Sequence, residues 1–251
     1  MTTLHHLSLS LMLLTTTAFL PAGLVKGVVG LGLPTLAMAL LALAVPPVQA
    51  AALLILPSVV TNVWQMRPWP TLAPMTRRLW PMQAGVVVGT LGGAWLLGAP
   101  AGAWAMQALG AALVVYGLWG LSGARVSQVP AGAERVLGPL VGAVTGLVTA
   151  ATGVFVIPAV PYLQALGLTR DELVQAMGLS FTVSTVALAA GLMLNGQYSA
   201  ALSGSALMLL PALAGMQAGQ WLRQRLSPQR FRLCFMGGLA LLGAWMVLRA
   251  L

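Results

Sequence analysis

Acidic side chains are almost absent: Glu134, Asp171 and Glu172 are the only three in 251 residues, and all charged residues together make up 6% of the chain. A soluble domain of this size carries about a quarter charged residues. There is one cysteine, Cys234, so no intrachain disulfide can form. The only histidines are adjacent, His5 and His6, and are expected in a solvated tail. No Cys/His cluster has metal-ligand spacing, so neither a metal nor another cofactor is expected. Hydrolytic chemistry needs a positioned His, acid or Cys. The apolar stretches offer only Lys26, Cys234 and hydroxyls, which argues against an enzyme.

What is abundant is apolar surface. Hydrophobic residues make up 59% of the chain, which places it among helical membrane proteins with the lipid bilayer as its surroundings. The formal net charge is +9, and eleven of the twelve basic residues are Arg. These arginines sit in short loops between apolar segments. That pattern reads as a topology signal facing the cytoplasm and not as a nucleic-acid surface. No basic stretch precedes the first apolar segment, so a cleaved signal peptide is not expected.

Apolar blocks run over Leu11–Ala44, Val48–Gln65, Met82–Leu97, Trp104–Leu121, Val136–Gly167, Leu173–Leu194, Ser199–Leu222 and Phe231–Leu248. One crossing takes about 20 residues. Six blocks fit one helix each; the first and fifth are too long for one crossing and short for two. Both carry breakers near the middle: Gly23, Gly27, Gly30, Gly32 and Pro34 in the first, Gly142, Gly146, Gly153, Pro158 and Pro161 in the fifth. Such clusters fit either close packing through small residues or a broken, re-entrant helix whose freed backbone groups are satisfied by protein.

Shifting the chain by 123 residues aligns the halves: Gly23-Leu24-Val25 with Gly146-Leu147-Val148, Gly30 with Gly153, Gly92 with Gly215 and Gly120 with Gly243. A duplication of four segments is expected, with repeat one at 11–121, a cytoplasmic connecting loop at 122–135 and repeat two at 136–248. If each block crossed once, six arginines would fall on one side and five on the other. If the first and fifth blocks enter and return to the same side, ten fall together and Arg249 stands alone. The second arrangement agrees with the positive-inside rule, puts both termini outside, and makes the halves inverted repeats.

Within the apolar blocks, Lys26 is the only charge. It marks either a pathway for an anion or a side chain snorkelling to an interface. Ser58, Thr61, Asn62 and Gln65 lie at i, i+3, i+4 and i+7, one face of a helix. They line a substrate path or make ordinary interhelical hydrogen bonds. Ser184 and Thr185 match Thr61 and Asn62 in the second half. Thr152 and Gly153, at the second break, offer backbone N–H groups to an oxyanion, unless Thr152 bonds back to its own helix. Trp64, Trp69, Trp80, Trp95 and Trp104 near block ends read as an interfacial belt.

The chain resembles the TauE/SafE family of sulfite and organosulfur anion exporters. The residues that carry the resemblance are Gly23-Leu-Val-Lys26-Gly27-Val-Val-Gly30-Leu-Gly32-Leu-Pro34, Pro57-Ser58-Val-Val-Thr61-Asn62-Val-Trp64-Gln65, Thr152-Gly153 and Tyr162-Leu-Gln-Ala-Leu-Gly167-Leu168 leading into Ser180–Thr185. Val154-Phe155-Val156-Ile157 departs from the Gly/Pro-rich stretch the pattern calls for. The resemblance implies export of small anions such as sulfite or sulfonates. A multi-pass inner-membrane transporter of sulfite, thiosulfate or sulfonates is therefore expected, and Lys26, Gly30, Gly32, Pro34 and the polar residues above are the expected substrate site. An anion channel of the same architecture and a non-transporting scaffold remain alternatives. A second copy of the chain remains open as a partner.

Overall fold

The computed structural model describes residues 2–100, 102–123, 127–197, 202–225 and 227–250. Arg125 and the side chains of His5 and His6 lie outside what is described. Among the described residues there is no strand. The helices are α1 (Thr2–Val29), α2 (Leu33–Leu41), α3 (Pro47–Gln65), α4 (Leu72–Leu97), α5 (Gly102–Ser122), α6 (Ala131–Thr152), α7 (Ala159–Ala165), α8 (Arg170–Leu194), α9 (Leu202–Leu207), α10 (Leu209–Arg223) and α11 (Pro228–Arg249). A 3-10 turn spans Trp69–Thr71. Among the described residues five helices are long and apolar enough to cross a membrane: α3, α5, α6, α8 and α11. The tryptophans expected at block ends lie on the surface, Trp95 at 82% exposure.

Both long blocks are broken. The first stops at Val29, where Gly30 (φ 78°) and Gly32 (φ 104°) take the left-handed conformation, which costs glycine least. Pro34 then sits in the first turn of α2, where its missing N–H is no loss. The fifth block ends in a left-handed Gly153 (φ 70°) and restarts after Pro158. Val154, Phe155 and Val156 fill that gap and are fully buried. At 1.5 Å per residue, α2 and α7 rise only about 13 and 10 Å, well short of a ~30 Å hydrocarbon layer. The seventh block, expected as one helix, is interrupted at Met208 between α9 and α10.

Small residues bring the long helices into backbone contact. A Cβ added to Gly23 would meet the Ala212 carbonyl, and one on Gly27 the Met216 carbonyl, so α1 and α10 run side by side in the same direction. α4 and α6 do the same: Gly85 and Gly89 lie on Pro139 and Ala143, Gly142 and Gly146 on Met82 and Val86. α5 and α11 run in opposite directions, with Gly110 on Gly243 and Gly117 on Met236 and Ala240. α3 and α8 are also antiparallel: Gln65 bonds the carbonyl of Val174, and Gly178 packs on Asn62.

One proline is answered from far away in sequence. Pro57, inside α3, has no N–H to give the carbonyl of Leu53. Ser205 Oγ donates to that carbonyl at 2.9 Å and accepts from Leu56 N–H at 3.1 Å. α3 thereby keeps its course through the centre of the molecule.

Candidate functional site

Lys26 lies one turn before the first break and is 4% exposed. Its Nζ turns into the protein, not along the helix toward an end. It donates to Thr61 Oγ1 at 3.1 Å and to Asn62 Oδ1. Thr61 Oγ1 in turn donates to the Pro57 carbonyl at 2.7 Å, so its remaining lone pair faces the ammonium. Asn62 must present oxygen to a cation, since its NH2 is a donor only. Nδ2 therefore points elsewhere, and it has no partner.

Asn62 Nδ2 is one of several such atoms. Ser58 Oγ and Gln65 Oε1, on the same face of α3, are also buried without a hydrogen-bond partner, as is Thr35 Oγ1 in the first turn of α2. A buried polar group without a partner costs about 1–3 kcal/mol. Four of these close to the first break and its ammonium are hard to explain as packing.

The ammonium has no counter-ion among the described residues. Glu134 is paired to Arg78 at 2.6 Å. Glu172 closes a capping box with Thr169 at the start of α8, and Asp171 stands in the same exposed first turn. The local field at Lys26 is thus positive and shaped only by neutral oxygens.

Gln65 ties the break down. Its Nε2 donates to Gly30 O at 3.0 Å and to Val174 O at 3.1 Å, joining α1, α3 and α8. Below this bridge, on the side of Val28, Leu31 and Val174, a cavity of about 780 Å³ opens toward the ends of α5, α8, α10 and α11. Gly32 is confined between Val25 and Phe235, where an added Cβ would come within 3.0 Å of the ring.

The second break is built differently. Thr152 Oγ1 donates to Val148 O at 2.7 Å and accepts from Val154 N–H at 3.1 Å. Gly153 N–H bonds Thr149 O at 2.8 Å. These N–H groups are already satisfied, and the space beyond Gly153 is taken by Met38. Thr185 donates to Phe181 O at 2.6 Å, and Thr149, 123 positions after Lys26, donates to Thr145 O at 2.7 Å. Ser184 is buried at 1% exposure. The structure therefore brings Lys26, Gly30, Ser58, Thr61, Asn62 and Gln65 together. Thr152, Gly153, Ser184 and Thr185 belong to the equivalent region of the other half, where the hydroxyls traced here bond to nearby backbone.

Two contributors carry no sequence signal. Ser205 acts on a segment about 150 residues away, and Gln175 bonds the carbonyls of Met66 and Pro68, both at 2.7 Å, fixing the turn after α3.

A family model described as sulfite exporter TauE/SafE matches residues 15–246, nearly the whole chain. The chain belongs to the TauE/SafE family. No curated protein and no solved structure matched it. Membership makes it a multi-pass membrane protein of an anion-export family, in agreement with its apolar helices. In this TauE/SafE member the buried cation and the unpartnered donors of α3 lie where the first half of the fold is broken.

Proposed function

We propose that the protein is a secondary transporter that exports a small sulfur-containing oxyanion across the inner membrane, built as two inverted repeats with both termini outside. The observation that carries this is Lys26: a buried ammonium, held by two neutral oxygens, without a carboxylate and beside unpartnered donors. In a low-dielectric interior an uncompensated charge is expensive. A bound anion would supply the counter-charge and accept from Nζ, Asn62 Nδ2 and Ser58 Oγ. Gln65, bridging Gly30 and Val174, would hold the path closed between this site and the cavity below it.

The packing supports the inverted arrangement. The offset of 123 exchanges α1 with α6 and α10 with α4, and the two pairs α1–α10 and α4–α6 are packed alike. The repeat mates α5 and α11 are antiparallel, as are α3 and α8, as an axis in the membrane plane requires. For α3 and α8 that axis falls near Ser58 and Val59. Lys26, level with Thr61 and Asn62, then lies about 5 Å from the midplane by helical rise.

Saturable uptake that is accelerated by unlabelled anion on the far side would establish a carrier. Uptake that scales linearly with concentration, without such acceleration, would establish a channel instead. The orientation has its own test. Ala73→Cys lies on an exposed position in the first turn of α4, Ser227→Cys on an exposed position of the basic loop before α11, and Gln197→Cys on a loop without arginines. In a background without Cys234, an impermeant thiol reagent applied to intact cells is expected to label Gln197→Cys alone. Labelling of either of the other two would overturn the orientation.

Proton coupling through a carboxylate is not expected, because Glu134, Asp171 and Glu172 all stand near helix starts outside the Lys26 site. The triple variant Glu134→Gln, Asp171→Asn, Glu172→Gln should leave the pH profile of sulfonate flux unshifted, the sulfonate itself being permanently charged. A lost pH response in folded protein would place one of these acids on the pathway.

A further inference from the structure

Four of the ten arginines whose surroundings are described have an intramolecular carboxylate or ring partner. Arg78 is paired to Glu134, Arg67 lies over Trp64 at 4.1 Å, Arg225 over Trp221 at 4.1 Å and Arg249 over Trp245 at 5.0 Å. Arg170, Arg223 and Arg232 are among the six that make no ion pair and no cation–π contact among the described residues. They come from the start of α8, the end of α10 and the start of α11, and all three line the 780 Å³ cavity beneath the first break.

We propose that this cavity is a second anion site, one that takes an oxyanion head group (sulfonate, sulfate or phosphate) on the basic face and passes free anion on to Lys26. The onward step rests on the reading of Lys26 above; the binding does not. Convergence is the first reason. The positive-inside rule asks only that arginines lie on this side of the membrane. It does not ask three of them, from separate helices, to surround one space, where their mutual repulsion is unfavourable until an anion enters. Guanidinium groups suit the task, because their planar donors match two oxygens of a tetrahedral anion at once. Gln164 and Gln229 add neutral polar side chains to the same wall.

Size and depth are the second reason. The volume falls within the range of about 300–1,000 Å³ usual for small-molecule pockets, so an anion with an organic body or a retained water shell is accommodated. Its wall along α8 runs from Arg170 to Met177, roughly 10 Å by helical rise. Val174, on that wall, is the residue whose carbonyl receives Gln65. An anion held by the arginines is then one hydrogen-bonded bridge away from the Lys26 cluster.

The site is also one-sided. The residues 123 positions from the three arginines in the other half are Pro47, Pro100 and Leu109, none of them charged. The arginine ring is therefore not a by-product of the duplication. It gives the basic face an attraction for anions that the opposite face lacks, which is what a device for one-way loading needs.

The test is direct binding, without flux. Benzenesulfonate is titrated calorimetrically into the purified protein in nanodiscs of neutral phosphatidylcholine. The background is Lys26→Met, which removes the deeper cation. Binding is expected to persist in that background and to weaken by about tenfold or more when Arg170→Gln, Arg223→Gln and Arg232→Gln are added. A control triple, Arg77→Gln, Arg135→Gln and Arg230→Gln, removes the same charge from exposed positions, and it should bind like its parent. Replacing the three cavity arginines by Lys should restore part of the affinity, which separates lost charge from a lost fold. Discs containing phosphatidylglycerol identify the occupant. Unchanged affinity there marks a site for free anion, and competition by the lipid marks a head-group site of the same chemistry. Equal binding by the cavity triple and its parent, or equal loss in both triples, would overturn the proposal. If instead Lys26→Met left transport intact while this binding held, the reading of Lys26 would fail and the cavity site would stand.

Discussion

Lys26→Met is expected to lower anion flux by about a hundredfold, on the scale of one or two charge-assisted hydrogen bonds lost at a desolvated site. Methionine has nearly the length of lysine and tolerates irregular packing, so α1 keeps its contact with α10. Thr61 retains its bond to the Pro57 carbonyl. Asn62 Oδ1 loses its donor, but a buried cation without a counter-ion disappears at the same time, and the two effects on stability oppose each other. Folded yield should therefore be close to that of the parent chain, and the loss should appear in apparent affinity and flux. The conservative variant Lys26→Arg keeps the charge but not its compact shape, and is expected to fall between the two. Unchanged apparent affinity in folded Lys26→Met would show that the ammonium does not meet the transported anion.

The largest effect on folding is expected at the glycine contacts. Gly27→Val in α1 and Gly89→Val in α4 each drive a side chain into a backbone carbonyl of the neighbouring helix, at Met216 and Ala143 respectively. Neither obstacle is the end of a flexible side chain, so the helices themselves must separate. Overpacking of this kind costs about 1–3 kcal/mol or more, and in a bilayer no hydrophobic force pulls the separated helices back together. Both variants should lose most of the monodisperse protein on size-exclusion chromatography. Gly92→Ala in α4 and Gly237→Ala in α11 meet nothing within 4 Å and should fold as well as the parent, gaining slightly from alanine's helix propensity. Normal folding of Gly89→Val would mean that α4 and α6 are not packed through this contact.

The breaks were legible because glycine and proline mark them chemically. Gly30, Gly32 and Pro34 lie where α1 gives way to α2, and Gly153 and Pro158 lie on either side of the second gap. The polar face of α3 was legible from its spacing, but the hydrogen bonds that tie it to Lys26 were not. Helix partners were not legible. Both sides of a lipid-facing helix are apolar, so periodicity does not tell which face meets which neighbour. Gly92 and Gly215 match in sequence, yet Gly215 packs on Leu20 while Gly92 faces open space. Gly89, which packs as the partner of Ala143, has Ala212 at its repeat position, and Ala212 in turn receives Gly23. The arginines were read only as an orientation signal, because their convergence depends on how α8, α10 and α11 end against one another. Ser205 stayed invisible for the same reason: a serine in an apolar helix says nothing of the proline it serves.

The contrast between the halves follows from a few substitutions. Lys26 stands opposite Thr149, Asn62 opposite Thr185, and Leu31 opposite Val154 at the start of a buried plug. The first break thus holds a buried charge, and the second holds hydroxyls closed onto backbone. Under the inverted-repeat arrangement proposed above, one charged break would give the frame an inherent sidedness.

The most direct measurement is uptake by proteoliposomes of purified protein, with labelled sulfite, thiosulfate, a sulfonate, sulfate and a carboxylate offered in turn. Saturable, trans-accelerated flux of at least one sulfur oxyanion, above that of empty liposomes and abolished in Lys26→Met, is the expected result. Flux of none of these anions above the empty liposomes, from protein shown to be folded and inserted, would contradict it.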